Sequence, residues 1–171
     1  MIYHFKIISQ ESKSFILEVE MDGGHTFFDL HCLIQKSAGF ESHQLASFFL
    51  SDDSRMKTKE ISMLDTGFDE GVYFIMQKTK LSDLLRSRDQ KLIYTFDFFY
   101  DRSFFLELTE IIMEKNLKEP LVTRKHGDAP AQVLGEETDE YVAAKLQEEE
   151  VFMDFGILDD YNELFGEMED F

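Results

Sequence analysis

A chain of 171 residues with 43% hydrophobic and 14% aromatic content can bury one substantial core, and its 18 Phe make that core aromatic. A net charge of -18 argues against direct nucleic-acid binding, because phosphate affinity comes from Lys and Arg neutralising charge and releasing counterions. The lone Cys32 excludes an intramolecular disulfide and a cysteine-rich zinc site and fits a reducing cytoplasm, while no apolar run approaches the ~20 residues that cross a bilayer, so a cytoplasmic chain without membrane contact is expected.

Residues 2 to 8 and 15 to 21 read as strands, joined across the polar stretch 9 to 14 as a hairpin and stopped by Asp22-Gly23-Gly24. Thr26 is a helix N-cap with Asp29 in the capping-box position, and Phe27, Leu30, Leu33, Ile34 and Ala38 recur at helical spacing until Gly39 ends the helix. Strands follow at 45 to 50, 60 to 64 and 72 to 76, with turns at 51 to 54 and 65 to 67. A short helix at 80 to 86 turns Leu81, Leu84 and Leu85 inward, and strands 91 to 97 and 103 to 110 form a second hairpin. The order predicts an α+β domain in which one main helix packs on a mostly antiparallel sheet, ubiquitin-like or related.

Residues 115 to 135 carry both prolines and Lys115, Lys118, Arg124, Lys125 and His126, and read as a basic loop leaving the sheet. From residue 136 the composition changes. Residues 136 to 171 hold fourteen Asp and Glu against the one base Lys145, whereas residues 1 to 135 balance twenty-one acids with sixteen bases. The chain is therefore divided into a domain, 1 to 135, and an acidic C-terminal arm, 136 to 171, with helical patterns at 137 to 150 and 158 to 165. Phe152, Phe155 and Leu158 lie among its carboxylates as candidate anchors for a protein surface, a composition typical of segments that order on a partner. The expected contact is a protein partner, the chain's own domain or a second copy.

Chemistry-bearing motifs are sparse. His25, His31 and His43 are spaced by six and twelve residues, unlike zinc ligand sets, and Cys32 beside His31 on a helix points about 100 degrees away from it. No nucleophile elbow or phosphate-cradling glycine loop is present. No catalytic residue, metal or cofactor is expected. One stretch stands out, Asp97, Phe98, Phe99, Tyr100, Asp101 and Arg102, where strand alternation breaks and aromatics sit beside charge. It reads as a turn, as a recognition lip, or, if Asp97 and Asp101 share a sheltered pocket, as an acid/base site.

Several segments together resemble a known family. They are Tyr3-x-Phe5-Lys6-Ile7, then Thr26-Phe27-x-Asp29-Leu30-His31-x-x-Ile34-Gln35, Gly39-Phe40 and Ser42-His43-Gln44-Leu45-x-x-Phe48, followed by Lys80-Leu81-Ser82-Asp83-Leu84-Leu85, Leu92-Ile93-Tyr94-x-Phe96-Asp97-Phe98, Asp101-Arg102-x-Phe104 and Gly127-Asp128-Ala129-Pro130-x-Gln132. In order and spacing they resemble the plasmid pRiA4b ORF-3-like family, also labelled mobile-element passenger proteins, over about residues 2 to 135, and especially its Bacteroidetes-type members with acidic tails. The resemblance implies an α+β domain of undefined biochemical role. Relatives carry a glycine and a tryptophan in the turn after the strand and a cysteine near the domain's end. This chain has neither tryptophan nor that cysteine, so no metal or catalytic role transfers from them. The reading is a non-enzymatic interaction module with an acidic arm. The competing readings are an enzyme around the Asp97 to Arg102 turn and an acidic decoy of nucleic-acid-binding proteins.

Overall fold

A computed structural model describes residues 1–65 and 73–134. Eight strands form one sheet: β1 (Ile2–Ser9), β2 (Ile16–Asp22), β3 (Ser47–Ser51), β4 (Lys57–Ser62), β5 (Tyr73–Ile75), β6 (Lys91–Asp97), β7 (Arg102–Ile112) and β8 (Leu121–His126). Their spatial order is β5-β4-β3-β6-β7-β1-β2-β8, and every pairing is antiparallel except the parallel pair of β4 with β5. With the helices α1 (Phe27–Ala38) and α2 (Leu81–Leu84), this is an α+β fold.

The main helix begins and ends for local reasons. Thr26 Oγ1 accepts from the Asp29 N–H at 3.2 Å, and the Asp29 carboxylate accepts from the Thr26 N–H at 2.9 Å, which satisfies two donors of the first turn. At the other end Gly39 takes a left-handed conformation, φ 72°, that glycine adopts without strain. The buried side of α1, Phe27, Leu30 and Ile34, meets Tyr3, Phe5 and Ile7 of β1, Leu17, Val19 and Met21 of β2, Phe48 of β3, Tyr94 and Phe96 of β6, and Phe104 and Leu106 of β7. The Phe96 and Phe104 rings lie 4.9 Å apart, tilted by 41°, and each lies within 6 Å of Phe40, so much of the aromatic content is gathered at this interface. Leu81 of α2 joins the same cluster, so both helices cover one face of the sheet.

A polar triad pins helix to sheet inside that core. Gln35 Nε2 donates to the Tyr94 hydroxyl at 3.3 Å, and the hydroxyl is hydrogen-bonded to His31 Nδ1 at 2.8 Å in a direction set by the ring tautomer. Burial lowers the His31 pKa to about 4 and raises that of Tyr94 well above the usual tyrosine range. Both groups are neutral at physiological pH.

The structure corrects one element. Residues 121 to 126, read as part of a basic loop, form β8, which pairs with β2 from Ile16↔His126 to Glu20↔Leu121 with a bulge between Glu18 and Val19. All six of its residues are exposed, so hydrophobic alternation was absent and only the backbone pairing reveals it. Smaller shifts occur at element ends: β4 starts at Lys57, three residues earlier than the patterned segment, and β7 runs on to Ile112. The chain divides into two compact units, Met1–Gln132 and Val133–Phe171. The arm anchors Phe152, Phe155 and Leu158 and the patterned arm helices lie outside the described residues, as does most of the turn at 65 to 67.

Candidate recognition surfaces

The Asp97 to Arg102 turn connects β6 to β7, and its six residues separate into two groups. Asp97 Oδ1 accepts from the backbone N–H of Phe99 at 3.1 Å and of Tyr100 at 3.2 Å, which shapes the turn, and Asp101 closes it with φ 51°. Arg102 points inward, with only 5% of its side chain exposed. Its Nε donates to Glu11 at 2.9 Å, one Nη to Asp97 at 3.4 Å and to the Gln132 carbonyl at 3.2 Å, and the other Nη to the Ala131 carbonyl. The guanidinium also lies 5.0 Å from the Phe96 ring centre. With nearly every donor engaged, Arg102 is a structural clamp that fastens residues 131 and 132 to the hairpin. Gln132 extends the clamp by exchanging side-chain hydrogen bonds with the backbone of Glu41 at 2.6 and 2.8 Å.

The turn's outward part is aromatic. Phe99 is 85% exposed, Phe98 is half exposed, and Phe99 meets Tyr100 edge-on at 4.7 Å. Asp101 pairs with Lys57 at 3.1 Å, away from the Arg102 pairing of Asp97. The two carboxylates thus serve separate cations.

The register of the strands brings a different surface together on the sheet face that neither helix covers. Reading across paired positions, Ile16, Ile8, Phe105, Ile93 and Phe49 form one apolar row over β2, β1, β7, β6 and β3, in which Ile93 is buried and the other four are half-buried. At about 4.8 Å between strands the row is about 19 Å long. On one side of it a charged row runs Arg124, Glu18, Lys6, Glu107 and Lys91, alternating in sign from strand to strand. On the other side Ser103, Thr95, Ser47 and Ser62 form a hydroxyl row, in which Thr95 and Ser103 are hydrogen-bonded at 2.9 Å.

Long cationic side chains lie over the apolar row. The Arg55 guanidinium sits 4.4 Å from the Phe105 ring centre and Lys57 Nζ 4.5 Å from that of Phe49. Arg55 has φ 63°, an uncommon conformation for a side chain of its size, in the turn that carries it over Phe105. Together with Lys6, Ile8, Lys91, Ile93 and Glu107, Arg55 and Phe105 line a depression of about 160 Å³. Lys91 is paired with Asp53 at 3.0 Å, and that hydrogen bond raises its pKa. Lys6 lies across the strands between Glu18 and Glu107, so the lining mixes both signs of charge.

Of the histidines examined as ligands, His31 is bound up in the triad, the His25 ring lies between the Asp22 N–H at 2.9 Å and the Lys118 carbonyl at 3.2 Å, and His43 pairs with Glu41 on the surface. Among the described residues no cluster of three or more metal-ligating side chains occurs. Cys32 is exposed and burial of its surroundings raises its pKa, the opposite of an activated thiol. No helix among the described residues is long and apolar enough to cross a membrane.

Sequence reasoning reached the turn because it interrupts a pattern. It missed the apolar row, whose members are eight or more residues apart along the chain and become neighbours only through strand order. The available signal was apolar residues on both faces of a strand, as in Leu92-Ile93-Tyr94, where strict alternation would leave Ile93 exposed.

Comparison with solved structures finds a protein of unknown function from Methanosarcina mazei Go1, similar with a TM-score of 0.56 and 22% identity over 72% of this chain and 68% of that one, a likeness of fold. No curated protein matches the chain significantly. The family model described as plasmid pRiA4b ORF-3-like protein matches residues 2–151, which includes the hairpin, the main helix, the clamp and the whole described sheet. This chain belongs to the plasmid pRiA4b ORF-3-like family.

Proposed function

We propose that the chain is a non-enzymatic protein-interaction module whose recognition surface is the sheet face that carries no helix. The observation that carries the reading is the continuous apolar row Ile16, Ile8, Phe105, Ile93 and Phe49 on a face without a helix. Isolated surface hydrophobics are ordinary, but a half-buried row across five strands, bordered by Lys6, Arg55 and Lys57, has the apolar centre and charged rim of a protein interface. The exposed Phe98 and Phe99 offer a second, smaller contact at the β6–β7 turn. An enzyme at that turn has less support, since Asp97 and Asp101 are tied to different cations and form no carboxylate pair. The acidic arm, with Phe152, Phe155 and Leu158, completes the module as a segment suited to a basic and apolar protein surface.

The test is affinity capture from the source cell with three forms of the protein: unaltered, Phe49→Ser with Phe105→Ser, and ending at Gly135. Partners retained by the first and lost by the row variant support this surface, provided circular dichroism shows the variant folded. An identical partner set for the unaltered and row-variant proteins would rule the surface out.

A further inference from the structure

We infer that the outer edge of β8 is a docking site for an extended acidic segment of a partner protein, which joins the sheet there as an added strand. This site is separate from the sheet face proposed above. β8 stands at the end of the strand order, and among the described residues the main chain of 121–126 is hydrogen-bonded to β2 alone. In an antiparallel pair every second residue turns its N–H and C=O away from the partner strand, so a row of main-chain donors and acceptors lies along the free side.

The strand is held on its inner side. Thr123, the extra residue of the bulge, donates from Oγ1 to the Glu18 carbonyl at 3.1 Å, and His126 Nδ1 donates to the Ser14 carbonyl at 3.0 Å. The edge is therefore a fixed template that an incoming segment does not have to order.

Composition selects the partner. Residues 115–126 hold four Lys and Arg against one Glu, in a chain of net charge -18. The register with β2 sets Arg124 beside Glu18 and Leu121 beside Glu20 on the face without a helix, and Lys125 beside Leu17 and Val122 beside Val19 on the face that packs against α1. Both faces of β8 thus offer an aliphatic and a cationic side chain. Leu121 and Val122 are 49% and 37% exposed. Lys125 enters no ion pair among the described residues, and Arg124 meets Glu18 only at 4.0 Å with more than half of its side chain exposed, a weak contact. A strand that mixes Asp or Glu with aliphatic residues fits both faces. Edge lysines and a bulge are the usual guard against indiscriminate strand pairing, and here the same cations turn away a basic strand. They also disfavour a second β8, which would bring two Arg124-Lys125 pairs together. Main-chain hydrogen bonds supply the affinity and the side chains supply the selection.

The experiment adds unlabelled synthetic peptides to the nitrogen-15-labelled full-length protein at neutral pH and follows amide shifts and hydrogen exchange. The probes match β8 in length: a valine and glutamate peptide, a valine and lysine peptide, and the glutamate peptide N-methylated along its backbone, which keeps the charge but cannot donate to the edge. Expected with the glutamate peptide are saturable shifts centred on Leu121 to His126 and slowed exchange of β8 amides. The lysine and N-methylated peptides should bind at least about tenfold more weakly. Arg124→Glu with Lys125→Glu should reverse the preference between the two charged peptides, and Lys125→Glu alone serves if the double variant does not fold. Shifts centred elsewhere, none at millimolar peptide, or equal binding of the N-methylated peptide would overturn the inference. So would β8 amides that are all protected before any peptide is added, since the edge would then be taken by the chain itself or by a second copy. These variants leave Phe49 and Phe105 intact, so the capture test of the sheet face stands or falls separately.

Discussion

Acidification should destabilise this domain through one buried imidazole. His31 is 2% exposed and held by a hydrogen bond to the Tyr94 hydroxyl, so protonating the ring charges a buried group. Its pKa falls from 6.5 to about 4 on folding. The unfolded chain therefore takes up a proton below pH 6.5 that the folded chain refuses until about pH 4. Stability is fully present above 6.5, declines as pH falls through this window, and loses nothing further from His31 below it. At about 1.4 kcal/mol per factor of ten, the loss is about 3 kcal/mol, a large share of the 5 to 15 kcal/mol typical of a domain. Urea unfolding between pH 7.5 and 4 measures it, with His31→Gln as the reference in which this proton uptake is absent. The difference between the two profiles isolates His31 from carboxylates such as Asp22 and Asp52, whose lowered pKa values place their titration below the window. Parallel profiles for the two proteins would refute the reasoning and mean that the triad opens to solvent before the domain unfolds.

Leu30→Ala, at a fully buried helix position, should cost roughly 2 to 5 kcal/mol in urea unfolding, and a loss below about 0.5 would place that helix face on the surface. Arg102→Ala should cost about 3 kcal/mol, because it strips Asp97, Glu11 and two carbonyls of their donor, and Arg102→Lys should recover little of it for want of the planar fork. An Arg102→Lys protein as stable as the unaltered one would show that the clamp is only a charge. A chain ending at Gly135 should keep a cooperative thermal transition, since the buried core cluster runs from Tyr3 to Leu108 and Gln132 is the last of the described residues hydrogen-bonded to that domain. Loss of that transition would make the arm part of the core.

What could be read from the sequence was local. The Thr26 and Asp29 capping box, the Gly39 stop and the face of Leu30 and Ile34 are determined within a few residues, and each appears where its chemistry requires. β8 was illegible because an edge strand exposed along its whole length, rich in Arg124, Lys125 and His126, has the composition of a loop. Arg102 looked like part of an outward lip, since nothing nearby in sequence announces Glu11 or the carbonyls of 131 and 132. The apolar row was hidden for the same reason. It depends on β1, β6 and β7 lying side by side in the middle of the sheet, an order set by long-range pairing rather than by any short motif.

The recognition face is tested most directly by the partners captured from the source cell by the unaltered protein and by a folded Phe49→Ser, Phe105→Ser variant. The account predicts partners that the unaltered protein retains and the variant loses. The same partner set for both proteins would contradict it.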